Sequence, residues 1–139
     1  MNYLLDTCVI SELVAKRPNP KVIAWIDNTE EIQLYLSVIT IGEIRKGIEK
    51  LPSSARRSEL DAWLNEQLLL RFSDRIINID VDTMLRWGQL MGCLEKAGKT
   101  MPVVDSLIAA IALTHKFQLV TRNERDFEHT GVTIMNPWK

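Results

Sequence analysis

The chain has little of what builds covalent or metal cages: its 139 residues hold two cysteines, Cys8 and Cys93, and two histidines, His115 and His129. No CxxC pair occurs, so neither a disulfide framework nor a CxxC redox centre is expected, and both thiols read as free. The histidines share no helical-face spacing, and a zinc site would need them to meet both cysteines by coincidence. Aromatic residues are sparse, and no stripe of them marks a platform for base stacking. No apolar run reaches the length of a membrane span. The opening MNYLLDTCVISEL lacks a basic stretch leading into an apolar core, so export is not expected and a cytoplasmic address follows. Neither sign of charge dominates, with 17 basic against 18 acidic residues, so nothing attracts nucleic acid globally and any such contact needs a local basic patch. Repeats and low-complexity tracts are absent, and the length suits one domain, residues 1–139, with a sizeable core.

Five short apolar runs are present: NYLL, IQLYLS, RIINI, FQLVT and VTIMN. They lack clean alternation, as strands covered on both faces do. Between them lie segments with helical spacing, at Val9 to Ala15, Lys21 to Asn28, Ile41 to Leu51, Ser54 to Phe72, Val81 to Ala97 and Val103 to Lys116. Strands alternating with helices predict an α/β protein, a mainly parallel sheet sandwiched between helical layers.

In a parallel sheet the C-terminal ends of the strands and the N-termini of the following helices meet at one edge, where ligands bind. Asp6 follows NYLL directly. Glu43 is expected in the first turn of the helix after QLYLS, and Asp105 in the first turn of the helix that returns through FQLVT. Asn123, Glu124 and Asp126 come just after that strand. Acids far apart in sequence should therefore converge in space.

Structural explanations compete for several of these residues. Asp6 is a good N-cap, and Thr40-Ile41-Gly42-Glu43 and Thr121-Arg122-Asn123-Glu124 both fit the S/T-x-x-E capping box. Asp105 has no such account. In MPVVDSLIAAIALTHKF, Pro102 suits a first helical position, and Ile108, Ala109 and Ala112 share a face with Asp105, so its carboxylate lies along an apolar stripe. Burying that charge is costly unless something pairs with it, and no lysine or arginine follows within ten residues. Several carboxylates at one edge also repel one another. A divalent cation resolves both problems, and oxygen ligands without a His or Cys framework select Mg²⁺, with Mn²⁺ as the alternative. Such a site suits phosphoester hydrolysis.

Four ordered motifs, LLDTCVISEL, SVITIGEIRKGIEKL, VVDSLIAAIAL and LVTRNERDF, closing with NPW, resemble the PIN-domain ribonucleases from end to end. Within them, the chain most resembles the VapC and FitB-like toxins of toxin–antitoxin pairs. The resemblance implies a PIN-like three-layer α/β/α sandwich and Mg²⁺-dependent endonucleolytic cleavage of RNA. It makes Asp6, Glu43 and Asp105 the three catalytic acids. Asp6 and Asp105 would hold the metal, with Asn123 or Asp126 completing its shell, and Glu43 would orient or deprotonate the attacking water. Two positions depart from the family pattern: Asn123 stands where an Asp often follows the TR or TN pair, and Cys8 replaces the Asn of LLDTN.

RNA needs cations around such an acidic pocket, and Arg45 and Lys46 on the Glu43 helix, with Arg122 and Arg125 beside Asn123, are expected to hold phosphates. Met84, Trp87 and Met91 recur at helical spacing, either as core or as one wall of a partner groove. The resemblance implies a cognate antitoxin threading a groove to the acids, a homodimer, and a hetero-oligomer with antitoxin on DNA. Two hydrolase or phosphoacceptor alternatives, a haloacid-dehalogenase-type phosphatase and a receiver domain, need a second acid near Asp6 that LLDTC lacks. The remaining alternative is a catalytically decayed PIN-fold module, its loss marked by Asn123 and Cys8, that binds RNA or a protein partner.

Overall fold

The computed structural model describes residues 1–139. Strand β1 (Tyr3–Leu5) leads into α1 (Thr7–Glu12) and α2 (Pro20–Asp27). A 3₁₀ turn, Glu31–Gln33, precedes β2 (Leu34–Ser37) and α3 (Val38–Glu49). Helix α4 (Ala55–Trp63) runs through a π-type turn, Leu64–Leu68, into the short α5 (Leu69–Arg71), so the predicted long helix is present with one wide turn inside it. Then come β3 (Ile76–Ile77), α6 (Val81–Lys96), α7 (Val103–His115), β4 (Gln118–Val120), a 3₁₀ turn Glu124–Phe127, and β5 (Ile134–Met135).

All four strand pairings are parallel, in the order β3-β2-β1-β4-β5. The first strand is therefore central, and its neighbours come from opposite parts of the chain. Adjacent residues face opposite layers, as strand pleating requires. Leu5, Leu34, Leu36 and Val120 pack with Val9, Ile44, Leu68 and Phe72 on the α1–α5 side, whereas Leu4 and Leu119 pack with Ile108, Ile111 and Phe127 on the α7 side. Burial on both faces explains why the strands read as continuous apolar runs.

The two sides differ in finish. Helix α7 buries Ser106 and every residue from Ile108 to Ala112, while the longer α6 buries only Thr83 and Leu94. The Met84–Trp87–Met91 stripe divides accordingly: Trp87 and Met91 are half-buried, the Trp87 indole donating to Ser106 Oγ at 2.8 Å, but Met84 is exposed.

At the N-terminal edge of the sheet, the Arg75 guanidinium is buried and saturated. It donates to the carbonyls of Glu31 (2.5 Å), Leu34 (2.6 Å) and Arg71 (2.6 Å) and to the Glu31 carboxylate (2.8 Å), and it covers the Phe72 ring. The same carboxylate takes a two-pronged contact from Arg71, at 3.0 and 2.8 Å. These arginines hold Glu31 down at a pKa of about 2, against an ordinary 4.5. Between them, these contacts tie the start of β2 to the start of β3.

Candidate active site

The opposite edge is built around Asp6. Its backbone continues the ladder, with the N–H donating to Val120 O at 3.0 Å, and then turns out of the strand to cap α1. The side chain is buried, yet each oxygen has a donor: Oδ1 accepts from Thr7 N–H at 2.8 Å and Oδ2 from the Thr121 hydroxyl at 2.7 Å. Cys8 Sγ lies 3.9 Å from Oδ2 and 3.7 Å from Thr121 Oγ1. Capping and site membership are thus both true of Asp6. Burial pushes its carboxyl up, against the hydrogen bonds of Thr121 and Thr7, and burial and then Asp6 itself push the Cys8 thiol up.

Glu43 is not in a capping box. Ser37 caps α3 by accepting from Thr40 N–H at 3.3 Å, so the helix begins at Val38, three residues before the expected start, and Glu43 falls in its second turn. With capping removed, its recorded partner is Thr7, whose hydroxyl donates to Oε1 at 2.5 Å. Thr7 therefore holds two acids, Asp6 through its amide and Glu43 through its hydroxyl. This tie was missed in the sequence, where the threonine of LLDT was quoted but given no task.

Asp105 lies in the first turn of α7, whose cap residue is Pro102, one position outside the helix rather than its first residue. No side chain caps that end, so the free N–H groups and the helix dipole are left to favour the carboxylate. They do not suffice. Its pKa is raised from 3.8 to about 6, first by burial and then by the charges of Asp6, Asp126 and Glu43. Those three causes place all four acids within electrostatic reach of one point, and no ion pair engages any of them.

The loop after β4 corrects a second capping box. Thr121 Oγ1 serves Asp6 and accepts from Asn123 N–H at 3.1 Å, and the following element is a 3₁₀ turn with no side-chain cap. Asn123 and Asp126 are both exposed, but it is Asp126 whose charge reaches Asp105. Glu124 is turned away, bound by Lys139 at 2.7 Å and by the Asn136 amide at 2.8 Å.

No three His, Cys, Asp or Glu side chains are gathered closely enough to form a ready-made cage. The donor set nonetheless fits Mg²⁺, which keeps several waters and takes only one or two carboxylates directly.

Of the four expected phosphate-holding cations, Lys46 lines a hollow of about 450 Å³ that also contains Glu43, Lys50 and Val104. Arg45 is a correction: it points the other way, pairing with Asp61 at 2.5 Å and Glu49 at 2.9 Å, because helical neighbours point about 100° apart. Arg122 stacks over Trp138, its guanidinium 5.4 Å from the ring centre. Arg125 lines a separate cavity beside Asp126. A third hollow, of about 180 Å³, is mainly apolar, running from Leu60 and Trp63 past Ile44 to Thr7 and Glu43. No helix is long and apolar enough to cross a membrane.

Known proteins resemble this chain in sequence and in fold. The VapC ribonuclease Y4jK of Sinorhizobium fredii is 38% identical over 98% of this chain and 97% of its own. The crystal structure of FitAcB from Neisseria gonorrhoeae superposes with a TM-score of 0.92 at 34% identity, covering 98% of both chains. A structure of FitAB bound to an IR36 DNA fragment gives 0.92 at 33%, covering 99% of this chain and 96% of that one. The PIN domain matches residues 3–132, and the chain belongs to the PIN-domain family.

Proposed function

We infer that the protein is a Mg²⁺-dependent endoribonuclease, the toxin of a toxin–antitoxin pair, folded as one domain and acting in the cytoplasm. The observation that carries this reading is the convergence of Asp6, Glu43, Asp105 and Asp126 at one sheet edge with no cation of the chain among them. The high identity to a VapC ribonuclease over nearly the whole chain supports the choice of RNA.

Asp6 and Asp105 would hold the ion, with Asp126 or Asn123 reaching it directly or through water; Mn²⁺ could replace Mg²⁺. The ion would supply charge for the phosphoryl oxygens and acidify a bound water. Thr7 and Thr121 fix the Asp6 carboxylate, so both its oxygens keep their direction when the ion arrives. Glu43, held at one oxygen by Thr7, has the other free to orient or accept a proton from the attacking water. In-line attack on phosphorus leaves a 5′-phosphate and a 3′-hydroxyl. Lys46, Lys50 and Arg125 supply cations for the RNA backbone.

The partner is an antitoxin, as the FitAB likeness suggests, and the apolar hollow that ends at Glu43 suits a protein segment better than the Met84 stripe does. A homodimer, joined by antitoxin on DNA, is the expected assembly. The test is cleavage of a mixed tRNA and mRNA pool by the partner-free protein, in Mg²⁺, in EDTA and with Asp105→Asn. Cleavage that requires Mg²⁺ and is lost in the variant supports the reading. Mg²⁺ binding with no cleavage under any condition turns the protein into a binding module instead.

A further inference from the structure

We propose that the cavity of about 300 Å³ between the α6–α7 connection and the turn after β4 is a nucleotide subsite, receiving the RNA residue next to the scissile phosphate. The proposal rests on the ribonuclease reading and adds to it where the substrate lies and what selects it.

Three features point this way. The cavity abuts the acids, because Asp126 is part of its wall and Arg125 is the adjacent residue on the same 3₁₀ turn. Its lining carries Lys99 and Arg125, neither in an ion pair, together with His129, whose Nε2 lies 3.3 Å from a Glu128 carboxylate oxygen. Its lining also includes Met101 and Pro102, apolar surface of the kind a base can cover. The volume sits at the small end of ligand pockets, enough for a base and ribose rather than a duplex.

Charge also gives a path. Lys46 and Lys50 line the hollow that holds Glu43, and Lys99 and Arg125 line the one that holds Asp126. The start of α7 borders both hollows, with Val104 lining the first and Pro102 the second, and Asp105 is the residue after Val104. A single strand crossing the edge would have its phosphates held on either side and the scissile one over the acids. The Lys99 cavity is lined mostly by polar side chains, in contrast to the apolar hollow behind Glu43, and this favours RNA over a peptide.

Two measurements test this together. Cleavage kinetics on single-stranded RNA would compare the wild type with Lys99→Glu, with Lys99→Glu combined with Arg125→Glu, and with Lys21→Glu on α2 as a remote charge reversal. Photocrosslinking in Ca²⁺ would use the same RNA carrying 4-thiouridine beside its cleavage position. The expected result is a KM raised on the order of tenfold by Lys99→Glu and further by the pair, with kcat little changed, no effect of Lys21→Glu, and a crosslink to the peptide containing Met101. Thermal melts confirm that the exposed substitutions fold. Normal cleavage with unchanged KM in both Lys99 variants overturns the subsite and leaves the nuclease intact. Antitoxin protecting the cavity while RNA crosslinks elsewhere gives the surface to protein and also overturns it. If the wild type neither cuts nor crosslinks RNA, subsite and ribonuclease reading fall together.

Discussion

The two ends of the sheet are charged in opposite styles. At the N-terminal edge, one carboxylate, Glu31, meets two guanidiniums, and Arg75 has a partner for nearly every donor it owns. At the C-terminal edge none of the four carboxylates is in an ion pair, and the contacts of Asp6 and Glu43 are hydroxyls, an amide and a thiol. The first arrangement serves the fold, since unlike charges and filled acceptors lower the energy of the native state. The second works against the fold, and such a strained cluster is where a binding function is expected. Altering the first end should therefore cost stability and leave activity, whereas altering the second should cost activity and spare stability.

The sharpest break is a pair of substitutions. Asp105→Asn should cost on the order of a hundredfold in RNA cleavage, about 3 kcal/mol of transition-state stabilisation, while raising the melting temperature in EDTA at pH 7. Arg75→Ala should act on stability instead: it should destabilise by about 3 kcal/mol in urea unfolding, because it strips three carbonyls of their buried donor and leaves Glu31 with one guanidinium rather than two. Its cleavage per folded molecule should stay within about twofold, because none of its partners is one of the acids at the other edge. A variant of either kind that lowered both quantities equally would show the edges to be one cooperative unit.

Mg²⁺ should come next in size. At about a hundred times its dissociation constant it adds about 2.7 kcal/mol to the wild type, read as a rise in melting temperature, and much less to Asp105→Asn. Acidity separates the edges more gently. Asp105, with its pKa raised from 3.8 to about 6, contributes stability that is full below about pH 4 and is lost as the pH climbs through about 6. Glu31, lowered from 4.5 to about 2, contributes stability that is present above about pH 4.5 and is lost as the pH falls through about 2. Melting curves in EDTA should show Asp105→Asn flattening the upper window and Glu31→Gln the lower, each by about 1 kcal/mol after solvent screening. The smallest effect belongs to Arg45→Ala, whose exposed pairs are screened by solvent, so that the melting temperature should hardly change and cleavage should stay within about twofold.

Most of the fold was legible because apolar period and element length carry it. The five runs became the five strands, and the helix from Val81 was placed to within a residue at each end. The acids were legible because a parallel sheet turns strand ends into neighbours. What misled was local grammar. Thr40 and Thr121 both fit a capping box, yet Ser37 caps α3 and Thr121 spends its hydroxyl on Asp6, 115 residues away. A four-residue pattern cannot register a partner at that distance. Arg45 and Lys46 are adjacent in sequence and point in different directions, which requires the helix phase rather than the composition. The role of Thr7 was hidden for the same reason, since its second acid lies 36 residues on.

The central position of β1 has a consequence for the order in which the site is assembled. Asp6 lies 115 residues before Thr121, whose hydroxyl fixes its carboxylate, and the fourth acid follows at Asp126. Until β4 has slid in beside β1, the early acid has neither its partner nor its neighbours. A chain in which β4 has not docked thus holds Asp6 without the hydroxyl that sets its direction, and the acid cluster is complete only once the sheet has closed around β1.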